Sequence, residues 1–471
     1  MVFSSIPFLC IFFPLTVILY YLLPSAKIKN YFLIAVSLLF YAYGEEYYVL
    51  LMIVCAFFNY IFARWMVCFS KSKKELLFIA VIVNLGTLGI FKYTYMAVTT
   101  INHIMDLELT VPNIRLPVGI SFFIFQALSY VVDVYRGKVE ANKSFLKILL
   151  YISFFPQLIA GPIIKYHSIS AQIDRREADL GKVCLGMRRF IVGLSKKVLL
   201  SDTLAIAADY VFSLEYSELG MLTAWIGAVS YMLQIYFDFS GYSDMAIGMG
   251  RIFGFDFAEN FRLPYAASNI QMFWRRWHIS LTGWFREYLY IPLGGNRKGK
   301  GKTWINRLIV FFCTGLWHGA NWTYVVWGLY HGFFITLETV FPNFLKKLKV
   351  LNHIYVLVVV CIGFVIFRSD SLGQAATILS AMFMNFKWNV QIEAAMMRIC
   401  DNMLLFILIL SVICAMPVQQ WAEMEGKQWI GKGNSKYILK GASYIGSIAL
   451  LLLCIMSLAG GTYHPFIYFR F

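Results

Sequence analysis

The segment Leu308–Leu337 has the sequence LIVFFCTGLWHGANWTYVVWGLYHGFFITL and contains no aspartate, glutamate, lysine or arginine. A helix that crosses a bilayer needs about 20 mostly apolar residues. The segment is therefore long enough for one spanning helix and part of a second. Gly319-Ala320-Asn321 is the expected break between the two helices. This stretch predicts a protein that lies within a membrane.

The composition of the whole chain supports the same conclusion. Of the 471 residues, 60% are hydrophobic and only 14% are charged, whereas about 25% are charged in ordinary soluble domains. The mean hydropathy of +0.67 is too high for a surface of this size exposed to water. These values exclude a soluble enzyme, a disordered chain and a small secreted protein stabilised by disulfides.

Further stretches without charged residues recur along the chain and indicate about 11 spanning helices, give or take two. The N-terminal stretch has no basic residue before Lys27, so we interpret it as a retained span and not as a cleaved signal peptide. The chain shows no internal repeat and no low-complexity linker, which favours one integral-membrane domain over residues 1–471. The further stretches are Met1–Ala26, Tyr47–Ala63, Leu76–Phe91, Leu116–Val132, Ile148–Ile164, Met221–Phe237, Val350–Phe367, Asn402–Ala422 and Gly441–Phe469.

The positions of lysine and arginine predict an orientation in the membrane. Lys27 and Lys29 follow the first apolar stretch, and four basic residues between Arg64 and Lys74 follow the third. Since basic loops remain in the cytoplasm, we expect the N-terminus on the outside. The basic segment 165–189 conflicts with a full crossing by Ile148–Ile164, so we predict a short or re-entrant helix there.

The formal net charge of +16 fits cytoplasmic loops that contact anionic lipid headgroups. No basic block is interleaved with aromatic residues in a soluble segment, so we predict no nucleic-acid partner. The nine cysteines are scattered without a C-x-x-C pair, and no H-E-x-x-H occurs. We therefore expect neither a disulfide framework nor a bound metal.

Polar side chains inside a bilayer are costly and mark candidate functional positions. If a helix begins near Trp322, His331 lies about 13 Å along it, close to the middle of an apolar core about 30 Å thick. An imidazole there can exchange a proton near neutral pH, although a structural histidine bonded to a neighbouring helix fits the same sequence. His318 is a second candidate for proton exchange. The alternative is a structural role beside the close-packing motif Gly315-x-x-x-Gly319.

Residues 271–290 combine arginine with aromatic side chains and predict an amphipathic helix at the headgroup level. Helical spacing places Arg275, His278 and Thr282 on one face, where they can line a polar cavity. Interfacial anchoring by tryptophan and arginine is the alternative interpretation.

Two carboxylates, Asp238 and Asp244, follow the apolar stretch Met221–Phe237. They can hold an arginine or shape a loop, and we favour a structural role for both. Gln126 and Asp133 form a similar polar cluster with Tyr135 and Arg136.

These motifs together resemble the membrane-bound O-acyltransferase (MBOAT) family, and within it the branch of the alginate O-acetylation membrane component. The resemblance rests on FWRRWHISLT at 273–282, on WFREYLYIPLGGNR at 284–297, and on residues 315–321 and 327–332. FDFSGYSD at 237–244, FFPQLIAGPI at 154–163 and residues 122–136 add to it in the expected order. The strong match, which we take as the core motif region, covers residues 116–338.

The resemblance implies an all-α polytopic fold in the bacterial cytoplasmic membrane, with a ring of about 11 tilted helices plus re-entrant and amphipathic helices. In this fold an extracytoplasmic funnel and a cytoplasmic tunnel meet at the family histidine, which corresponds to His331. The second polar family position corresponds to His278. The implied reaction moves an acetyl group from cytoplasmic acetyl-CoA, as acyl donor and co-substrate, to an extracytoplasmic polysaccharide, often through a separate acyltransferase.

The chemistry of a thioester agrees with this assignment. The donor is already activated, so the enzyme must position an acceptor hydroxyl and remove its proton. A general base with a pKa near 7 suits this step and typically accelerates the reaction about 10²–10⁴-fold. We assign the base to His331, and expect His278 to orient or polarise the acyl carbonyl. Supporting candidates are His318, Asn321, Asp238 and Gln126, and candidates for binding the phosphates of coenzyme A are Arg275, Arg276 and Arg297.

Three other functions are compatible with parts of this pattern. The first is D-alanyl transfer from a carrier protein to teichoic acid, which uses the same family fold. The second is a proton-coupled transporter in which His278, His318 and His331 relay protons, although the chain lacks the inverted repeat typical of transporters. The third is a structural scaffold for a cell-envelope complex. The motifs do not identify the polysaccharide.

Overall fold

The computed structural model describes residues 2–159, 161–177, 179–342, 351–417 and 435–461. In these ranges the ordered elements are helices, and no β-strand is present. The all-α class is therefore confirmed, as expected for backbone that must satisfy its own hydrogen bonds in lipid. Residues 462–469 of the last expected span lie outside the described ranges.

The chain divides into two compact units, and the first comprises Met1–Phe190 and Tyr242–Glu259. A π-helical turn at Phe8–Phe12 precedes its first α-helix, and a 3₁₀ turn at Ser70–Ser72 precedes its longest one. Its helices are α1 (Phe13–Leu22), α2 (Ala26–Glu45), α3 (Tyr48–Cys68), α4 (Lys73–Met105), α5 (Ile120–Tyr135), α6 (Phe145–Ser153), α7 (Phe155–Leu158) and α8 (Tyr166–Asp174).

The second unit comprises Ile191–Gly241 and Asn260–Phe471. Two helices, α9 (Leu180–Ser195) and α11 (Met221–Ile252), contribute residues to both units. The helices of the second unit are α10 (Asp202–Ser213), α12 (Ile270–Arg276), α13 (Ile279–Phe285), α14 (Lys300–His318), α15 (Trp322–Val340), α16 (Leu351–Arg368), α17 (Leu372–Met384), α18 (Val390–Ile399), α19 (Asn402–Ala415) and α20 (Ser435–Gly460). Shorter turns lie at Lys196–Ser201, Pro264–Ala266 and Arg286–Tyr290.

Four stretches of the described residues are long and apolar enough to cross a membrane, namely Tyr48–Cys68, Ser70–Met105, Leu351–Arg368 and Gly441–Gly460. The pair α18 and α19 adds a fifth if the two helices, bent by 66°, form one span. The multi-pass membrane class is thus confirmed. The ring and its count of about 11 helices are not confirmed, because several apolar stretches fold as short or bent helices.

The stretch Ile148–Ile164 is one of these, since it does not form a single spanning helix. Helix α6 ends at Ser153, and the four-residue α7 begins at Phe155 with Pro156 as its second residue. The short helix predicted at this position is therefore present, while the orientation of the chain stays a prediction.

A reciprocal pair of asparagines joins α3 to α4 within the first unit. Nδ2 of Asn84 donates to Oδ1 of Asn59 over 2.8 Å, and Nδ2 of Asn59 donates to Oδ1 of Asn84 over 3.0 Å. Each Nδ2 also donates to the carbonyl four residues earlier, on Cys55 and Ala80. Because every amide hydrogen has an acceptor, the pair links two apolar helices without leaving a polar group unpaired.

Replacing one member of this pair is expected to destabilise the protein. In Asn84→Leu, the buried amide of Asn59 loses its partner, which costs about 1–3 kcal/mol. Thermal unfolding of the purified protein in detergent measures the change. The double variant Asn59→Leu/Asn84→Leu should recover part of the loss, since no polar group then remains unpaired; a double variant less stable than Asn84→Leu would contradict this account.

In the second unit, α14 and α15 form a closely packed hairpin. A Cβ atom on Gly315 would lie 2.3 Å from the carbonyl oxygen of Tyr324, and one on Gly328 would lie 2.2 Å from that of Phe311. The turn between the helices coincides with the predicted break, and Oδ1 of Asn321 accepts a hydrogen bond from the Thr323 amide over 3.1 Å. This packing holds α15, the helix that carries His331, closely against α14.

Candidate active site

His331 lies in the third turn of α15 and is fully buried. Four rings surround its imidazole, and we call them the aromatic cage: Trp274, Trp327, Tyr330 and Phe273, with centroids 5.2, 5.3, 5.3 and 6.5 Å from that of the imidazole. Neither ring nitrogen has a hydrogen-bond partner among the described residues. An unpaired buried polar group costs about 1–3 kcal/mol, so this histidine is a candidate for contact with a substrate.

The backbone of α16 closes the remaining side of the imidazole. A Cβ atom on Gly363 would lie 2.7 Å from Nε2 of His331, closer than a carbon atom can approach. The Tyr330 hydroxyl donates to the carbonyl of Val359 over 3.0 Å and ties α15 to α16 one turn earlier. Sequence reasoning missed Gly363, because a lone glycine in an apolar helix carries no local signal of what it packs against.

The burial of His331 has a consequence for access. Its side chain is 0% exposed, so a substrate reaches the imidazole only when a neighbouring side chain moves. The funnel and the tunnel expected to meet there stay predictions.

His278 lies between two short helices, where the sequence predicted one continuous helix. Helix α12 ends at Arg276, α13 begins at Ile279, and His278 has φ +42°. This left-handed conformation is uncommon for a residue with a Cβ atom. The prediction that Arg275, His278 and Thr282 share one helical face is therefore wrong, because the helix is interrupted at its middle residue.

Asn260 holds the backbone in this conformation. Its carbonyl accepts from the Ile279 amide over 2.9 Å, and its Oδ1 accepts from the amide and hydroxyl of Ser280 over 3.2 and 2.9 Å. The same Oδ1 lies 3.2 Å from Nδ1 of His278. The side-chain amide oxygen of Asn260 carries no hydrogen and can only accept, so neutral His278 carries its proton on Nδ1 and has a lone pair on Nε2. Nε2 has no partner among the residues that the structure describes.

Removing the Asn260 side chain is expected to impair His278. In Asn260→Ala, the left-handed backbone and the ring orientation both lose their support, and we expect the turnover number to fall about tenfold or more. The Michaelis constant for the acyl donor should change little, since Asn260 is not one of the candidate phosphate-binding residues. Asn260→Asp retains the acceptor and should keep more activity than Asn260→Ala; equal loss in both variants would contradict the positioning role.

The three candidate histidines belong to one aromatic cluster within the second unit. Trp317 contacts His278 and His318, with ring centroids 5.9 and 5.0 Å apart. Trp327 contacts His318 and His331, at 5.0 and 5.3 Å. The sequence motifs at 273–282, 315–321 and 327–332 thus meet around a shared set of indole rings.

Comparison with known proteins decides the family. Residues 123–369, which include the three histidines and Gly363, match the model of the MBOAT, membrane-bound O-acyltransferase family. The chain belongs to the MBOAT family. It is thus an O-acyltransferase, as the motifs predicted.

Relatives narrow the assignment of this MBOAT protein. It is 37% identical over 497 aligned residues to the probable alginate O-acetylase AlgI of Pseudomonas putida, with 100% of both chains covered. It is 35% identical to the peptidoglycan O-acetyltransferase of Helicobacter pylori, over 81% of this chain and 80% of the relative. The teichoic acid D-alanyltransferase of Bacillus subtilis is 31% identical over 53% of this chain and 68% of its own. The full-length match supports the alginate O-acetylation branch.

Two of the supporting candidates in this MBOAT protein have structural partners in the second unit. Asn321 caps α15, and its Nδ2 donates to the carbonyl of Asp370 over 2.8 Å. Asp238 lies 3.0 Å from the buried ammonium of Lys197, which also contacts Asp202 at 2.6 Å. The lysine stands in the π-helical turn Lys196–Ser201, which the sequence motifs did not single out.

The remaining polar candidates lie in the first unit. Asp244 binds Arg189 at 2.7 Å. Gln126 is fully buried in α5, and neither atom of its side-chain amide has a hydrogen-bond partner among the described residues. The structure thus places Gln126 in a different unit from the histidines.

The three candidate arginines differ in whether their guanidinium groups bond to the protein's own backbone. Nη1 of Arg276 donates to the carbonyls of Ala266 and Leu263 over 3.1 and 3.4 Å, so this guanidinium supports the neighbouring turn. Arg275 and Arg297 are exposed. Arg297 belongs to a basic loop with Lys298, Lys300 and Lys302, and Asn306 fastens that loop by donating to the carbonyl of Gly295 over 2.9 Å.

Proposed function

We propose that this MBOAT protein transfers an acetyl group from cytoplasmic acetyl-CoA to an extracytoplasmic polysaccharide, through a partner acyltransferase, in the bacterial cytoplasmic membrane with its N-terminus outside. The observation that carries the proposal is the buried imidazole of His331, whose two nitrogens are unpartnered inside the aromatic cage. The relatives named as an alginate O-acetylase and a peptidoglycan O-acetyltransferase support polysaccharide as the class of final acceptor.

In the proposed reaction the acceptor hydroxyl oxygen attacks the thioester carbon. A carbon–oxygen bond forms, the carbon–sulfur bond breaks, and the hydroxyl proton passes to Nε2 of His331. The departing thiolate of coenzyme A then takes up that proton, which restores the neutral imidazole. The apolar rings of the cage exclude water and protect the thioester from hydrolysis.

The role of His278 follows from its proton position. Because Asn260 holds the proton on Nδ1, Nε2 of neutral His278 accepts a hydrogen bond and does not donate one. We therefore propose that His278 orients the acceptor by accepting a hydrogen bond from a second donor group of the acceptor, because the single hydrogen of the attacking hydroxyl passes to His331. Orienting or polarising the acyl carbonyl, the role expected from the sequence, needs a hydrogen-bond donor at Nε2 and would therefore require the ring to be protonated.

The basic loop supplies a site for the donor. Arg297 and its neighbouring lysines are exposed, and Arg275 is exposed on α12. Guanidinium groups bind phosphate oxygens through charge-assisted hydrogen bonds, so these side chains are suited to the phosphates of coenzyme A. Arg276 contributes less, since part of its guanidinium is already bonded to backbone carbonyls.

Acyl transfer in membrane vesicles tests the proposal. Vesicles containing the full chain and its envelope fraction receive labelled acetyl-CoA, a D-alanyl carrier protein or a proton gradient in separate reactions. We expect labelled ester on polysaccharide from acetyl-CoA alone. If ester forms from the D-alanyl carrier protein and not from acetyl-CoA, the proposed donor is wrong. Proton-coupled uptake without ester formation would support a transporter.

A further inference from the structure

A cavity in the first unit lies where the N-terminal end of α2 meets α6 and α8. Its volume is about 450 Å³. The polar side chains around it are Lys27, Asn30, Tyr31, Ser144, Lys147 and Asp174. Neither the proposed reaction nor the family motifs use this cavity.

Three charged side chains line the cavity, and one of them, Lys27, has no ion-pair partner among the described residues. Lys147 is paired with Asp174, and the ammonium of Lys29 lies over the rings of Tyr20 and Tyr21, at 4.9 and 5.6 Å. Lys27 has no carboxylate partner in the part of the chain that the structure describes.

The helix itself adds to this positive charge. Lys27 stands in the first turn of the 20-residue α2, and this first turn contains no acidic residue. The N-terminal end of a helix carries a partial positive charge that favours anions and disfavours a lysine. An anion in the cavity would compensate both the ammonium and the helix end.

The remaining lining residues of the cavity include one asparagine and two larger, partly exposed side chains. Asn30 is committed to the fold, because its Nδ2 donates to the carbonyl of Ile173 over 2.9 Å and its Oδ1 accepts from Arg176 over 2.6 Å. Tyr31 and Leu146 line the cavity with 45% and 39% of their surface exposed. The cavity therefore combines a cationic end with the partly exposed side chains of Tyr31 and Leu146.

We propose that this cavity binds a phosphate group, supplied by the headgroup of an anionic phospholipid. The lipid source is favoured because α1, with Ile18 and Leu22 exposed at 59% and 73%, ends only a few residues before Lys27. Exposed apolar side chains beside an uncompensated lysine are typical of the level at which headgroups meet a membrane helix. A nucleotide phosphate has the same chemistry and is the second source to be tested.

Native mass spectrometry of the purified full chain in detergent tests the site. Phosphatidylglycerol and phosphatidylcholine are added in separate titrations, and coenzyme A in a third. We expect Lys27→Gln to weaken binding of phosphatidylglycerol about fivefold, from about 1 kcal/mol for one lysine near a headgroup, and to leave phosphatidylcholine unchanged. Lys71→Gln, an exposed lysine in the turn Ser70–Ser72, is the matched control and should bind as the unmodified chain does.

The outcomes separate the possibilities. Equal binding of phosphatidylglycerol by Lys27→Gln and Lys71→Gln, with coenzyme A also unaffected, would overturn the phosphate site. If Lys27→Gln loses coenzyme A binding but binds phosphatidylglycerol as the control does, the ligand is not a lipid headgroup and the cavity binds a nucleotide phosphate. Because Lys27 is exposed and unpaired with any described carboxylate, unfolding temperatures should match between the two variants.

Discussion

The variant His331→Gln is expected to lower acetyl transfer about 10²–10⁴-fold, the usual contribution of a general base. Glutamine retains polarity and approximate size but cannot accept a proton at neutral pH. No side chain of the aromatic cage can replace His331 as a base at neutral pH, because the cage consists of tryptophan, tyrosine and phenylalanine. Rates of labelled acetyl transfer at saturating donor measure the effect.

The control for this experiment is His353→Gln, which changes an exposed histidine on α16 in the same unit. We expect it to retain full activity. If His331→Gln keeps more than about a tenth of the activity while eluting as a folded protein, His331 is not the base. A scaffold or an alternative catalytic residue would then have to be sought.

The variant Gly363→Ala is expected to cost about 100-fold in activity, because a shift of about 1 Å in a reacting group can have that effect. The new Cβ atom would lie 2.7 Å from Nε2 of His331 and must displace either the imidazole or α16. Either movement changes the position of the nitrogen that takes the proton. The turnover number should fall more than the affinity for acetyl-CoA changes.

The matched control is Gly89→Ala, also within an apolar helix, where no atom lies within 4 Å of the added Cβ. That variant should retain activity and gain slightly in stability, since alanine is a better helix former. The double variant Gly363→Ala/His331→Gln should be about as active as His331→Gln alone, because both changes affect one step. Additive losses would show that Gly363 acts elsewhere in the protein.

The membrane class and the hairpin around His331 could be predicted from the sequence because their signals are local. An uncharged run of 30 residues, Leu308–Leu337, must avoid water wherever it lies in the fold. Gly319-Ala320-Asn321 places a helix break and an N-cap within three residues, and α14 and α15 end and begin on either side of it. The motifs also indicated the MBOAT family, which the comparison confirmed.

The amphipathic segment 271–290 shows where such local signals fail. Its side-chain periodicity favours a continuous helix, yet the chain turns at His278. The hydrogen bonds that stabilise this turn come from Asn260, 18 residues earlier. Periodicity within the segment contains no information about that partner.

Composition determined that this chain is a helical membrane protein, because hydropathy is a property of neighbouring residues. The resemblance of its short motifs to the MBOAT family indicated an O-acyltransferase with His331 and His278 as candidate catalytic residues. The packing of Gly363 against Nε2, the proton position set by Asn260 and the closed aromatic cage depended on the folded structure. Each of these joins residues from separate helices or loops, and the distances between their atoms are set by side-chain packing that no single segment encodes.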